Sequence, residues 1–525
     1  MIIRESTLKK GLPKETESVC PECGKIVKAK IFDENGRVMI EKKCSEHGGF
    51  KDVYWSDAGL YLKAEKFAYD GIGVENPKIK AKKKCPFECG LCDLHLSHTC
   101  LANIDLTNRC NMRCPICFAN AAAAGYVYEP DYEQVVEMLE NLRRNRPVPT
   151  PAVQFSGGEP TIYPKFFDVV KKAKELGFVQ IQVATNGLKL VDFDFCQKMK
   201  DNGMDTVYLQ FDGLNDEIYV QARGRKMLDV KMKVVENCRN VKPKPLSTVL
   251  VPTIINGINN DQVGEILNFA VKNSDVIRSV NYQPVSFTGR IDKEERGKGR
   301  YTLTDLADEL EKQTNFLKKE DFYPVPVVTP ISELISILAG EPKVAFTAHP
   351  HCGLATFLYI ENGNATPITR FVDVEGMFSQ MMRMAEKLGK IGFLVRLVGK
   401  MKSEKSKKKS VQKSFEKYFG KYIYEDKLPK GLNITELLEN VFSEHSKESL
   451  GEFTWKTMMV GGMHFQDSYN YDIERVKRCV IHYATPDGRI IPFCAYNGGP
   501  TYRNEIEKKY SVPLDEWRKT HESSS

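Results

Sequence analysis

The 525-residue chain lacks any uninterrupted apolar run of about 18 residues, the minimum for a membrane-spanning helix. Its first residues, Met-Ile-Ile-Arg-Glu-Ser-Thr-Leu-Lys-Lys, lack the apolar core of a secretory signal. Both absences predict a chain that folds in the cytosol without crossing a membrane. It also lacks internal repeats and low-complexity tracts, apart from a Lys/Ser stretch near residues 402–413. A hydrophobic content of 42% with 28% charged residues excludes wholesale disorder and fibrous folds.

Cysteine is abundant, with fifteen in the chain. In a reducing compartment that number points to metal binding or catalysis before disulfides. The cysteines fall into groups. Cys20 and Cys23 form a Cys-x2-Cys knuckle and Cys44 and His47 a Cys-x2-His pair, the spacing of a closed mononuclear zinc or rubredoxin-like iron site that lets a small unit fold around a metal. Cys85, Cys89 and Cys92, with Cys100 nearby as a fourth thiolate, are suited to a closed auxiliary 4Fe-4S cluster, with zinc as the alternative. Cys110, Cys114 and Cys117 repeat the Cys-x3-Cys-x2-Cys spacing, which can hold three irons of a 4Fe-4S cluster and leave the fourth open. Cys352, Cys479 and Cys494 would hold a further cluster, with one iron left without a cysteine or completed by a neighbour such as His351 or His482. Cys196 and Cys238 lie within helical patterns and read as core thiols.

Short apolar runs at 101–106, 152–155, 179–184, 206–211, 248–251 and 280–285 alternate with amphipathic segments at 131–142, 165–176, 192–201, 229–240 and 261–271. Strands alternating with helices predict an α/β fold with a parallel, barrel-like sheet whose chemistry sits at the carboxyl ends of the strands. Hairpins are expected at 356–371 around Asn362-Gly363 and at 479–494 around Asp487-Gly488, the latter bringing Cys479 near Cys494. The expected organisation is a metal-binding domain over 1–84, a cluster-bearing linker over 85–100, the barrel over 101–290 and a C-terminal α+β region over 291–525.

Cys110-x3-Cys114-x2-Cys117 after the first strand, followed by Gly157-Gly158-Glu159-Pro160 after the second, resembles the radical S-adenosylmethionine superfamily. The resemblance implies a partial (β/α)6 barrel and a 5′-deoxyadenosyl radical that abstracts hydrogen from an unactivated carbon. It implies that Gly157, Gly158 and Glu159 meet the methionine amino group of S-adenosylmethionine. Thr185, Asn186, Gln210, Asp212 and Arg223 then fall where the superfamily holds the methionine carboxylate and the ribose. Gln210 departs from the more usual Ser. No acid-base residue is expected, since hydrogen abstraction by a radical needs none.

The order of the modules along the chain resembles the archaeal tetraether lipid synthases. That resemblance implies carbon-carbon bond formation between terminal methyls of isoprenoid chains of diether phospholipids; two auxiliary clusters beside the radical cluster are expected from the cysteine groups, and a small electron-donor protein is the expected reductant. A second feature fits an anionic membrane surface. Met377, Met381, Met384, Leu388, Ile391, Val395 and Val398 recur at helical spacing and run into a segment, Lys387 to Lys413, with ten basic residues against Glu404 alone. The plain alternative is a helix packed on the core, followed by a solvated loop. No nucleic-acid partner is expected. A multi-cluster enzyme that modifies a peptide or inserts sulfur is the competing enzyme reading; an Fe-S electron carrier or a zinc-stabilised nucleic-acid binder is the competing reading of another class.

Overall fold

The computed structural model describes residues 3–289, 291, 296–390, 418–430, 432, 456–499 and 502–521. The N-terminal unit is a four-stranded antiparallel sheet of β1 (Lys14–Val19), β2 (Ile26–Glu34), β3 (Arg37–Cys44) and β4 (Gly48–Trp55), paired in chain order. The knuckle turn between β1 and β2 and the turn between β3 and β4 meet at one end of this sheet, which places Cys20 and Cys23 opposite Cys44 and His47.

The barrel is built from β5 (Leu101–Thr107), α1 (Tyr132–Arg143), β6 (Ala152–Gly157), α2 (Phe166–Glu175), β7 (Gln180–Thr185), α3 (Phe193–Asp201), β8 (Thr206–Gln210), α4 (Asp216–Arg223), α5 (Leu228–Asn240), β9 (Ser247–Val251), α6 (Val263–Lys272) and β10 (Ile277–Pro284). Strands β5 to β10 are parallel and adjacent in chain order, the (β/α)6 arrangement. The helices start where the sequence supplies caps. Asp131 closes a capping box with Gln134 at α1, and Asp192 and Asn215 accept backbone N–H groups at α3 and α4.

The strands alternate with period two, and the alternation sorts chemistry by face. Ala102, Ile104, Val153, Phe155, Ile181, Val183, Val207, Leu209 and Val280 are wholly buried in the main core. The intervening residues, Asn103, Asp105, Gln154, Ser156, Tyr208, Gln210 and Gln283, line the inner cavity. The barrel is therefore apolar toward its helices and hydrogen-bonding within.

The C-terminal part of the chain adds to both edges of this sheet. β11 (Gly353–Glu361) turns through Asn362 and Gly363, both at positive φ, into β12 (Asn364–Pro367). β13 (Thr457–Met463) joins β10 in parallel and β11 pairs antiparallel with β13. At the other edge β14 (Ile481–Ala484) lies parallel to β5 and folds back into β15 (Ile490–Pro492). Helix α8 (Tyr502–Lys509) follows, and its Arg503 reaches Asp105 of β5. β13 carries Gly461 and Gly462 because a Cβ there would sit 2.4 Å from the Leu354 carbonyl and 2.8 Å from the Leu306 side chain.

One expectation is corrected here. The amphipathic segment forms a helix, α7 (Val374–Lys390), but its apolar face is spent on protein. Met377 and Met381 are buried in a cluster with Leu334, Phe371, Phe419 and Tyr422, and Met384 and Leu388 pack against it. That burial removes the described part of the apolar stripe from contact with a lipid surface. Ile391, Val395, Val398 and the basic run that follows lie outside the described residues. No helix among the described residues is long and apolar enough to cross a membrane.

Candidate active site

Cys110, Cys114 and Cys117 leave the end of β5 and line a cavity of about 300 Å³ at the carboxyl ends of the barrel strands. Burial pushes the Cys110 thiol up to about 12 and raises Cys114 as well, so thiolates here need a cationic partner to offset desolvation. Three such thiols on one cavity are what an iron-sulfur cluster uses.

The glycine turn after β6 is packed directly onto the cysteine loop. Gly158 N–H donates to the Thr107 carbonyl at 2.6 Å and Glu159 N–H to the Arg109 carbonyl at 2.9 Å. A Cβ on Gly158 would lie 2.1 Å from the Arg109 oxygen, so only glycine allows the two backbones to approach this closely. The Glu159 side chain is buried and serves as a brace. It accepts from the Thr161 hydroxyl at 2.6 Å, the Thr185 hydroxyl at 2.7 Å and Asn186 N–H at 2.9 Å, tying the turns after β6 and β7 together. Asn186 Nδ2 donates in turn to Asn111 Oδ1 within the cysteine loop at 2.7 Å.

Arg223 ends α4 and binds Asp212 through Nε at 2.6 Å and an Nη at 2.9 Å. Its other Nη donates to the Ile116 carbonyl between Cys114 and Cys117 at 2.8 Å. Asp212 is fully buried and also accepts from Thr253 N–H. It stands behind Arg223 as its counter-ion, and Arg223 lines the cavity. Gln210 contacts Asp212 and accepts from Lys231 Nζ at 2.9 Å, while Lys231 also donates to the Asn186 carbonyl at 2.6 Å. Burial lowers the Lys231 amine to about 7. Sequence reasoning missed Lys231. Its signal was a lysine sitting on the buried stripe of α5 with Val234, Val235 and Cys238.

The remaining cavity wall has two characters. Among its polar lining residues Gln154 Nε2 donates to Asn103 Oδ1 and Gln154 Oε1 accepts from Gln182 behind it, each at 2.7 Å, and Asp105 accepts from Ser156 and from Arg503 of α8, each at 2.7 Å. Its apolar lining includes Phe118, Phe465 and Phe493, with Phe465 and Phe493 stacked at 3.9 Å and Phe118 and Phe493 at 5.5 Å between ring centroids. Asn103, Asp105, Gln154 and Ser156 were missed as well, although the alternation Asn-x-Asp and Gln-x-Ser along β5 and β6 carries them; Phe118, Phe465, Phe493 and Arg503 have no such local signal.

Cys85, Cys89 and Cys92 surround a small cavity with His95. Cys100 is not among its lining residues; its thiol points at the Ala345 carbonyl, 3.4 Å away. Burial raises the thiols of Cys479 and Cys494, and Cys352 is near enough to both to push them further the same way. The two histidines expected to complete them have other partners. His351 stacks on Tyr61 at 3.8 Å with Nε2 at 3.3 Å from the Tyr61 carbonyl, and His482 Nε2 lies 3.2 Å from His95 Nε2. Cys196 and Cys238 are fully buried in the core beside each other.

In the N-terminal sheet, Cys44 Sγ lies 3.9 Å from Cys23 Sγ and 3.6 Å from His47 Nδ1, with Cys20 Sγ 3.8 Å from the same nitrogen. Their donor atoms all lie within 4.8 Å of one another, which fits a single tetrahedral ion. Hydrogen bonds from the backbone at Glu46 and from His47 lower the Cys44 thiol to about 6, favouring the ligating thiolate.

Residues 104–270 match the model of the radical SAM superfamily, and residues 12–56 match that of the HMPTM N-terminal zinc ribbon domain. The chain is a radical S-adenosylmethionine enzyme with a zinc ribbon, whose cofactors are a 4Fe-4S cluster, S-adenosylmethionine and a further metal. It is 45% identical over 516 residues to a 7,8-dihydro-6-hydroxymethylpterin dimethyltransferase of Methanocaldococcus jannaschii, covering 97% of this chain and 98% of the relative, and it belongs to that protein's family. A GTP 3′,8-cyclase of Clostridium acetobutylicum is 22% identical over 50% of this chain and 76% of its own. The solved structure of Streptococcus suis SuiB bound to precursor peptide SuiA covers 42% of this chain and 46% of its own at 18% identity, with a TM-score of 0.34.

The near full-length relative corrects the expectation of tetraether lipid synthesis, with its diether phospholipid substrate and membrane partner: the relative is a pterin methyltransferase and not a lipid coupling enzyme. A physical reason lies in the barrel interior. Amides and an Arg–Asp pair on one wall suit a ligand that forms hydrogen bonds, whereas saturated chains leave such groups without exchange partners.

Proposed function

We propose that this enzyme methylates a reduced pterin, using radical chemistry at the carbon to be modified. The observation that carries the reading is the 45% identity, maintained over 516 residues, with the dimethyltransferase acting on 7,8-dihydro-6-hydroxymethylpterin. The cavity walls support it. A pterin is a flat ring with a hydrogen-bonding edge, and this cavity is lined both by an aromatic stack, Phe465 on Phe493, and by hydrogen-bonding amides, Asn103 and Gln154.

When bound, the cluster and S-adenosylmethionine supply a radical able to abstract hydrogen. The chain's own residues bind and orient. Cys110, Cys114 and Cys117 would ligate the cluster; the Gly157-Gly158 turn offers backbone to an ammonium group; Asn186, Gln210 and Arg223 line the wall toward a carboxylate and a sugar. Glu159, Asp212 and Lys231 hold those residues in place from behind. Cys85, Cys89 and Cys92 would carry an auxiliary cluster.

Reconstituted protein incubated anaerobically with a reductant, 7,8-dihydro-6-hydroxymethylpterin, a methylene-tetrahydropterin as a one-carbon carrier, and S-adenosylmethionine in excess is expected to yield 5′-deoxyadenosine and methionine from the radical step, and a pterin heavier by one and then two methyl groups whose carbon comes from a second S-adenosylmethionine or from the carrier. 5′-Deoxyadenosine with the pterin unchanged would overturn the substrate class. Neither product from protein with intact clusters would overturn the reaction class.

A further inference from the structure

Among the described residues, two carboxylates and two guanidinium groups line the cavity, those of Asp105, Glu159, Arg223 and Arg503. Glu159 is spent on bracing the turns after β6 and β7, and Arg223 on Asp212 and the cysteine loop. Asp105 and Arg503 are left to face a substrate. The alternation of β5 puts Asp105 there, since Ala102, Ile104 and Leu106 go to the core and Leu101, Asn103 and Asp105 to the cavity. Two residues on, Thr107 takes the Gly158 N–H, so Asp105 stands only about 7 Å along the strand from the backbone that packs on the glycine turn.

Arg503 is the fixed half of the pair. Its Nε and one Nη donate to Asn497 Oδ1 at 3.0 and 2.7 Å, the other Nη donates to Glu507 at 3.1 Å as well as to Asp105, and the guanidinium lies against the stacked rings of Tyr483 and Tyr496. These partners hold it whether or not Asp105 takes another donor. Asp105 accepts from Ser156 at Oδ1 and from Arg503 at Oδ2, whereas a carboxylate can accept about four hydrogen bonds. The aromatic lining adjoins the same corner: Tyr483 lies 5.3 Å from Phe493, which stacks on Phe465.

The pyrimidinone edge of a pterin is an acylguanidine. Its ring N3–H and its 2-amino N–H point the same way, as two N–H groups of an arginine do, and that paired edge matches a carboxylate through two parallel hydrogen bonds. The amides of Asn103 and Gln154 each bring a single acceptor, and Asn103 Oδ1 already takes Gln154. Resting on the pterin reading above, we propose that Asp105 determines substrate specificity, its carboxylate accepting N3–H and the 2-amino group of the pterin while Arg503 stays as the counter-charge and Ser156 orients it.

The test uses the full-length protein with reconstituted clusters and S-adenosylmethionine but no reductant, so that ligands bind without turning over. Dissociation constants are measured for 7,8-dihydro-6-hydroxymethylpterin and for the matching dihydrolumazine, in which a 2-oxo group replaces the 2-amino group. The wild type is expected to bind the pterin at least about 30-fold more tightly, because the 2-oxo compound turns an acceptor toward a carboxylate. In Asp105→Asn, whose amide can donate to that oxygen, the preference is expected to fall to about threefold or less. A preference that survives in Asp105→Asn, an equal loss for both compounds, or a wild type that binds both alike would overturn Asp105 as the anchor and leave the pterin reading standing. A wild type that binds neither would overturn the pterin reading, and this proposal with it. Should Asp105→Asn not fold, the double variant Asp105→Asn, Arg503→Met leaves neither charge buried alone and carries the same comparison.

Discussion

The guanidinium of Arg503 lies 2.7 Å from the carboxylate of Asp105, joining the last helix of the sheet assembly to the first strand of the barrel across 398 residues of chain. Arg503 is 11% exposed and Asp105 3% as side chains, and Tyr483 and Tyr496 flank the guanidinium. Breaking one partner of such a pair leaves a buried charge unmatched. Arg503→Met is therefore expected to cost about 3–5 kcal/mol of unfolding free energy in denaturant titrations, and Asp105→Asn in the same background to recover part of it.

Glu159 is the joint between the two turns that shape the cofactor wall. Glu159→Gln places amide hydrogens against donors that now point at carboxylate oxygens, including the Thr185 hydroxyl and Asn186 N–H. S-Adenosylmethionine affinity, read by calorimetry on reconstituted protein, is expected to fall about tenfold, a loss of about 1.4 kcal/mol. Iron content is expected to stay unchanged.

Lys231 sets a pH dependence. Burial lowers its amine from 10.5 to about 7, so between those values the unfolded chain holds a proton that the folded chain has released. Stability from this group accordingly rises with pH, from about 7 toward 10. Lys231→Met removes that slope. Its unfolding free energy relative to wild type should be most favourable below pH 7 and should decline steadily as pH rises to 10.

The ribbon metal should report on more than its own sheet. Thr16 and Tyr54 both donate to Asp472, and Ser18 donates to the Tyr471 carbonyl, so the N-terminal sheet is pinned to the segment that follows His464. Cys44→Ser is expected to abolish one equivalent of zinc or iron by elemental analysis. It should also lower the thermal midpoint by several degrees, more than a surface substitution does.

Much of the barrel was legible because its elements obey local rules. β5 was expected at 101–106 and runs Leu101–Thr107, and α3 was expected from Asp192, which is its cap. The cysteine loop and glycine turn were legible because their spacing is itself the chemistry. What escaped was long-range. Nothing local in Thr-Met-Met-Val-Gly-Gly-Met announces a strand, since two glycines argue against one; they are tolerated because Leu354 and Leu306 press against the backbone. Lys231 and Arg503 were hidden for a related reason. A buried cation reads as a surface residue until its acceptors, on other elements, are in place. The lipid reading went astray because it rested on the order of modules along the chain, which says nothing of the side chains that line the cavity.

The two edges of the parallel sheet also fix an order of assembly. β5 to β10 and the cysteine loop are complete by residue 284, but β13, Phe465, β14, Phe493 and Arg503 come from the last 70 or so positions of the chain. During synthesis the half-built barrel therefore stands open on the side of Cys110, Cys114 and Cys117, and the wall that encloses them arrives last. The cysteine loop is thus among the first parts of the cavity to be made, and the stacked aromatic rings beside it are among the last.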